Sequence, residues 1–464
     1  MWHAKLLMVS LDRIYLWLCV PVLVAMVYIL PPFQSPDEVA HFYRATQLSH
    51  GEFMPVLVHN SYRPAAGGAI DESALRFVAH YCGEPTWFCP GQDRPATAEI
   101  FRGGGSDTSK DPRRLTAFSN TAIYLPVAHL VPAFAIGFAR ELGLGAAGWF
   151  YAGRLANALF AMAATWLALR LLRKRRSDLL VFTIATLPMT LSVAATLSAD
   201  AGVISCSFLL FAICLRLLDE QGARAWLWAA LLIAVLYAAA AKIAYLPLAI
   251  LPSVCLFTAQ APRRLLFGTL MVAAVVVAGT LAWSSLTESY VFPISHDSRV
   301  EIAGQIAFLR AHPVGTLSVL VKSMTEEAPL GLFELVGWKL SGYNVVLPLA
   351  LLAVPTLSLI AAVALGGSDE PRAALRVFVM ILVLASASST FLFLYIQNSG
   401  VGSNRVQGYQ GRYFLPILPF AGLVIPAWNS NGTRLARAVR ALMIGSSCLT
   451  VAALALFLAL RPWQ

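Results

Sequence analysis

Apolar runs of about 20 residues, separated by short arginine-bearing loops, restrict what this chain can become more than any other feature. A run of that length crosses a bilayer as a helix, and in hydrocarbon a helix satisfies its own backbone polar groups. Taken in order the runs are 14–30, 149–172, 179–197, 202–218, 225–241, 243–257, 265–286, 345–365, 377–396, 413–428 and 441–460. That is about eleven spans by the 20-residue criterion. The expected fold class is therefore an all-α, polytopic transmembrane protein, one domain over 1–464. Only 12% of its residues are charged and 58% are hydrophobic, about half the charged fraction of a soluble protein. The net charge of +10 raises nucleic acid as a partner. Its placement argues otherwise, because many of the basic residues sit in the short loops, where they set topology under the positive-inside rule.

Lys5 and Arg13 precede the first run and place the N-terminus in the cytoplasm. The run 14–30 continues into Pro31-Pro32-Phe33-Gln34 without a small-residue cleavage site, so it reads as a retained span. Arg173, Arg176, Arg263, Arg264, Arg372, Arg376, Arg434, Arg437 and Arg440 then all fall on the same side. Two large regions remain outside, 31–147 and 287–343. Counting 121–139 as a span would put the Arg173–Arg176 cluster outside, so 123–138 reads as an interfacial helix. The stretches 63–68 and 102–112 are rich in Gly and Pro and read as loose. No repeat of broken helices of the transporter kind is evident. Five of the seven cysteines lie in apolar runs and read as packing residues. Cys82 and Cys89 sit in the first polar outer loop, without histidines for a zinc pattern, and are expected to pair as a disulfide.

The first outer region opens on PPFQSPDEVAHFYR, residues 31–44. Ser35, Pro36 and Glu38 have the spacing of a helix start: N-cap, first-turn proline and back-reaching acid. Asp37, His41 and Arg44 then recur at i, i+4 and i+7, on one helical face. Ionisable residues at the rim of a membrane mark a site. The same residues also fit first-turn capping, for Asp37 and Glu38, and headgroup contact, for His41 and Arg44.

An Asp-Glu pair just after the first transmembrane helix resembles the GT-C glycosyltransferases, which move sugars from polyprenyl-phosphate carriers outside the cytoplasm. PDE-x-x-HFYRA (36–45), with QGRYFLPILP (410–419), is also similar to a family of bacterial membrane proteins of unknown activity regarded as GT-C-like. The resemblance implies a bacterial inner-membrane enzyme with an extracytoplasmic active site. It would transfer a sugar from a polyprenyl-phosphate donor to a cell-envelope glycan or lipid, with inversion. Such a reaction needs a general base and cations on the leaving phosphate. Asp37 takes the base by this resemblance, with Glu38 assisting or only capping.

For the phosphate, Arg412 in Gln410-Gly411-Arg412-Tyr413 lies at a span mouth, and its fork suits phosphate oxygens. Lys242 lies between two apolar runs, where a lysine is costly unless paired or solvated. Snorkelling, for Lys242, and an interfacial arginine with a belt tyrosine, for Arg412, are the bland alternatives. Arg154 matches an Arg-Leu of the relatives and fits backbone bonding equally. Asp200 sits at the outer end of a span, placed to pair with a cation. His312, Lys322, Glu326 and Glu327 lie in the second outer region with no telling spacing. Asn431-Gly432-Thr433 fits a glycosylation acceptor but falls on the inner side. No phosphate-cradling loop or metal-ligand histidine motif is present, so no cofactor is expected, with a divalent cation left open. A flippase for lipid-linked sugars and a non-catalytic polyprenyl-phosphate-binding partner are the rival functions.

Overall fold

The computed structural model describes residues 10–59, 64–83, 89, 112–173, 175–219, 225–257, 262–295, 297–340, 345–366, 372–425 and 434–461. The glycine-rich stretch 102–111 and Asn431 lie outside them.

The chain is an all-α polytopic membrane protein, and its long helices follow the apolar runs. Among the described residues six are long and apolar enough to cross a membrane: α1 (Leu11–Ile29), α5 (Ala146–Leu171), α8 (Ala199–Asp219), α10 (Arg263–Leu286), α14 (Ala373–Asn398) and α15 (Arg434–Leu460). The other five runs are bent, shorter or irregular, so that among the described residues six helices, or seven with one bent pair, meet the length criterion against about eleven apolar runs. Run 179–197 breaks into α6 (Ser177–Ala185) and α7 (Pro188–Ala194), bent by 64°. Pro188 lacks the N–H that would continue the ladder, and the pair makes a seventh span if counted as one. Run 225–241 is α9 (Ala225–Val235) followed by a π turn, Leu236–Ala240. Run 243–257 is a 3-10 helix holding Pro247 and Pro252. Run 345–365 shortens to α13 (Leu349–Leu365), 17 residues. The described part of the last, 413–425, forms tight turns at Gly411–Phe414 and Leu418–Phe420 and one short helical turn. Backbone that departs from the α ladder at membrane depth has to be enclosed by protein. Tyr245, Leu248, Ala249, Leu251 and Val254 of the 3-10 helix are accordingly buried. The central post is α8, packed against α5, α9 and the 3-10 helix.

The two ends of the bundle differ. At one end, loop arginines bind neighbouring helices: Arg173 pairs with Asp12 at 2.6 Å, Arg440 with Asp178 at 2.8 Å, and Arg216 donates to the Leu171 carbonyl at 3.2 Å. The other end carries a compact module from the first outer region. It contains α2 (Glu38–Ser49), α3 (Glu72–Cys82), α4 (Leu130–Glu141) and an antiparallel sheet that the sequence reading did not foresee. The sheet order is β1 (Val56–His59), β2 (Pro64–Asp71), β3 (Arg113–Ala117). Residues 64–68, read as loose, are the centre of that sheet. Gly67 is required there because a Cβ would meet the Thr116 backbone carbonyl. The interfacial helix expected at 123–138 is a 3-10 turn, Pro126–His129, leading into α4. On α4, Leu130, Phe134 and Phe138 form an exposed apolar stripe at i, i+4 and i+8. A disulfide joins Cys82, the last residue of α3, to Cys89.

The second outer region supplies α11 (Ile302–Ala311) and α12 (Pro313–Val336). Here α12 packs on the turn at Gly411–Phe414 and so connects this region to the second motif.

Candidate functional site

The segment joining α1 to α2 contains two non-glycine residues in the left-handed region, Phe33 (φ 61°) and Asp37 (φ 62°). This conformation costs an ordinary L-residue roughly 1–2 kcal/mol, less for Asp. Phe33 is held there by aromatic packing, with ring centroids 4.6 Å from Phe150 and 5.4 Å from Phe77. The helix start predicted at Ser35–Pro36 moves to Glu38, with Asp37 as the residue before it. The Ser35 carbonyl accepts from the Glu38 N–H at 3.1 Å, and its hydroxyl accepts from Thr196 at 3.2 Å. Strain of this kind marks positions the surrounding structure dictates.

The two acids of the motif have opposite environments. Glu38 is fully buried: Oε1 accepts from Arg154 Nε and the Leu197 N–H, both at 2.8 Å, and Oε2 accepts from Arg154 at 2.7 Å. Both of its oxygens are committed to protein partners. Arg154 spends its other hydrogens on the carbonyls of Val27, Leu30 and Pro31, and its guanidinium lies 4.5 Å from the Phe150 ring centroid. Glu38 and Arg154 therefore clamp the end of α1 and the start of α2 onto α5. Asp37 is half-buried, takes a hydrogen bond from Asn120 Nδ2 at 2.7 Å, and forms no ion pair among the described residues.

His41 and Arg44 are buried and do not reach headgroups. Arg44 donates to Gln47 Oε1 at 2.5 Å and to the Phe53 carbonyl at 2.8 Å, inside the outer module. His41 Nδ1 lies 2.7 Å from Nε2 of His129. Burial, reinforced by the charges of Lys242 and Arg412, holds the His41 imidazole well below its ordinary range. Burial does the same for His129, helped by His41 and Arg44. The pair is thus neutral, joined through one N–H.

Next to them, Asp200 in the first turn of α8 faces two cations. Lys242 Nζ is 2.5 Å from Oδ1 and Arg412 Nε is 3.3 Å from Oδ2. Lys242 follows the π turn and precedes the 3-10 helix, so the distorted backbone sets its place. Its Nζ stands 5.7 Å from the Tyr124 ring centroid and 5.5 Å from that of Tyr413. Arg412 lies 5.5 Å from the Tyr413 centroid, and Tyr245 donates its hydroxyl to the Tyr413 carbonyl at 2.9 Å. The charges of Asp37, Asp200 and Arg412 all act on Tyr124 and Tyr413.

A cleft of about 380 Å³, part of it open to solvent, runs between the two motifs. Ser35 and Pro36 line it beside Gln410, Gly411 and Arg412, with Met189, Ser192 and Val193 on α7, Glu334 on α12 and Lys339 also in its walls. The sequence reading thus placed Asp37, His41, Lys242, Gln410, Arg412 and Tyr413 in one region. It missed Asn120, His129, Ser192 and Glu334, which sit singly in apolar or unremarkable stretches and gave no local signal. Glu327 pairs with Arg405, and Lys322 with Glu326 at 3.8 Å; these are exposed surface pairs. Among the described residues no three His, Cys, Asp or Glu side chains cluster as metal ligands.

No curated protein and no solved structure is similar enough to this chain to match it. A family model described as predicted membrane protein (DUF2142) matches residues 21–421, most of the chain and both motifs, and the protein belongs to that family.

Proposed function

We propose that this protein is a GT-C-like glycosyltransferase, moving a sugar from a polyprenyl-phosphate donor to an envelope glycan or lipid on the outer face of the bacterial inner membrane. One observation carries the reading. Two motifs some 370 residues apart line one cleft, Ser35 and Pro36 beside Gln410 and Arg412, with Asp37 forming no ion pair among the described residues and Lys242 and Arg412 both at Asp200. Such an acid can accept a proton, and the two cations can take a developing phosphate charge. In the proposed step Asp37 removes the proton of an acceptor hydroxyl as its oxygen attacks the anomeric carbon. The bond from that carbon to the phosphate oxygen breaks, and the electron pair leaves with the phosphate toward Lys242 and Arg412. Glu38 and Arg154 hold the scaffold, and Asn120 orients Asp37.

A transporter of lipid-linked sugars is the second reading, favoured by the helix breaks at 185–188 and 236–257. Against it, the ionisable cluster gathers beside the outer module. Purified protein in lipid decides between them. Asp37→Asn should reduce transfer by about 10²–10⁴-fold with donor binding retained, whereas Lys242→Ala and Arg412→Ala should weaken donor binding itself. A fully active Asp37→Asn protein ends the transferase reading. Wild-type protein that translocates the lipid-linked sugar without transferring it favours the second.

A further inference from the structure

We infer that Asp200 sets the charge of the phosphate that Lys242 and Arg412 accept, tuning the pair to hold a singly charged phosphodiester and to let a doubly charged monoester go. This rests on the proposed function and deepens it, by naming the residue that separates the donor from the spent carrier.

Asp200 is 3% exposed and sits in the first turn of α8. One carboxylate meets both cations there, Lys242 at 2.5 Å on Oδ1 and Arg412 at 3.3 Å on Oδ2. No hydrogen bond reaches Oδ2. On the Arg412 side the acid therefore contributes charge rather than a directed contact. Two cations and one acid leave one net positive charge at this point. The cleft wall beside it adds Lys339 and Glu334, one charge of each sign, and leaves that balance unchanged. Asp200 is also held in place. Its N–H donates to Ser198 Oγ at 3.2 Å, and α8 is packed on several sides by α5, α9 and the 3-10 helix. The start of a helix favours an anion as well.

The consequence follows from how the energies scale. Attraction between a phosphate and the site grows in proportion to the phosphate charge. The cost of taking the phosphate out of water grows as the square of that charge in the Born picture. A buried site with one net positive charge therefore offsets one negative charge better than two. The donor phosphodiester carries one, and the monoester left after transfer carries nearly two. Asp200 acts through Lys242 and Arg412, not on the reacting atoms. An acid that only braced the two cations would give no dependence on ligand charge.

Two lipids without a sugar test this on the full chain in nanodiscs at pH 8: polyprenyl phosphate, with nearly two negative charges, and its methyl ester, with one. Wild type should hold the methyl ester at least as tightly as the monoester. At about 6 Å and an effective dielectric of about 40, one charge pair is worth about tenfold in affinity. Asp200→Asn should therefore raise affinity about tenfold for the methyl ester and about a hundredfold for the monoester, reversing the order. Asp37, Lys339 and Glu334 are the same in both proteins and drop out of the comparison. The double variant Asp200→Asn, Lys242→Gln restores the net charge without stranding a buried cation, and should return the wild-type order. It also supplies the test if the single variant does not fold.

A folded Asp200→Asn protein whose affinities for the two lipids change by the same factor overturns the inference, because Asp200 then only braces the cations. A double variant that keeps the monoester preference overturns it too. So does wild type that already holds the monoester about tenfold above the methyl ester. Each of these leaves the phosphate reading standing. Wild type that holds neither lipid overturns that reading and this inference with it.

Discussion

Arg154 is the residue whose loss the outer end of the bundle should tolerate least. It makes five hydrogen bonds: two to Glu38, at 2.8 and 2.7 Å, and three to the carbonyls of Val27, Leu30 and Pro31, at 3.0, 2.7 and 3.0 Å. Arg154→Leu strands the Glu38 carboxylate without water, a loss of about 3–5 kcal/mol for a broken buried pair. The three carbonyls lose their shared donor as well, about 1 kcal/mol or more each where water cannot replace it. Glu38→Leu strands the guanidinium but leaves it the carbonyls, so it should cost less. The double variant carries no stranded charge and should recover much of the loss, giving a coupling energy of about 2–3 kcal/mol. Reversible unfolding in mixed micelles, followed by tryptophan fluorescence across the four variants, measures it. Additivity within about 0.5 kcal/mol would refute the clamp, and with it the assignment of Glu38 to structure and Asp37 to chemistry.

The remaining expectations are briefer. Mass spectrometry of non-reduced, alkylated protein should find Cys82 and Cys89 unmodified, and Cys82→Ser should cost the outer module up to about 2–4 kcal/mol. Because His41 and His129 are neutral when folded and protonate near the ordinary value of 6.5 when unfolded, the unfolded state binds more protons below that pH. Stability should therefore fall as the pH drops from about 6.5, by up to about 1.4 kcal/mol per pH unit for each histidine, and the double Gln variant should flatten the profile. Gly411→Ala should destabilise more than Gly331→Ala in thermal unfolding. The added methyl meets backbone at Gly331 and Leu335 in the first case and the movable tip of Tyr409 in the second.

Hydropathy made the six long helices legible because an apolar run of 18 or more residues has few other destinations. It could not tell the backbone form at 225–257 and 413–425, where composition is the same whether the backbone is α, π or 3-10. Pro247, Pro252, Pro416 and Pro419 were the available warnings. The sheet was hidden for another reason. Gly67 and Gly68 look like loop residues, yet they are small because Thr116 and Gln47 pack where side chains would go. In the site, the i, i+4, i+7 spacing put Asp37, His41 and Arg44 on one helical face. In the structure Asp37 precedes the helix and accepts the His41 N–H at 2.9 Å on its carbonyl, while Arg44 turns to Gln47 and the Phe53 carbonyl. Pairing across 116 residues, as for Glu38 and Arg154, cannot be read from spacing. Neither can the partnership of His41 with His129, 88 residues away.

The charge arrangement gives a reason for Asp37 and the cation pair to be separate. Asp200 contacts both Lys242 and Arg412, and Glu38 pairs with Arg154, whereas Asp37 forms no ion pair among the described residues. Lys242 and Arg412 each stand 5.5 Å from the Tyr413 ring centroid. Under the proposed reaction, a polyprenyl-phosphate sugar enters as a phosphodiester with one negative charge and leaves as a monoester with nearly two. Asp37 meanwhile goes from one negative charge to none. The step moves a negative charge from Asp37 to an oxygen beside Lys242 and Arg412 and leaves the sum unchanged. Had Asp37 been paired with either cation, that pairing would stabilise the ground state rather than the transition state. An acid kept apart from cations that wait for the leaving group lets the same electrostatics act on the transition state alone.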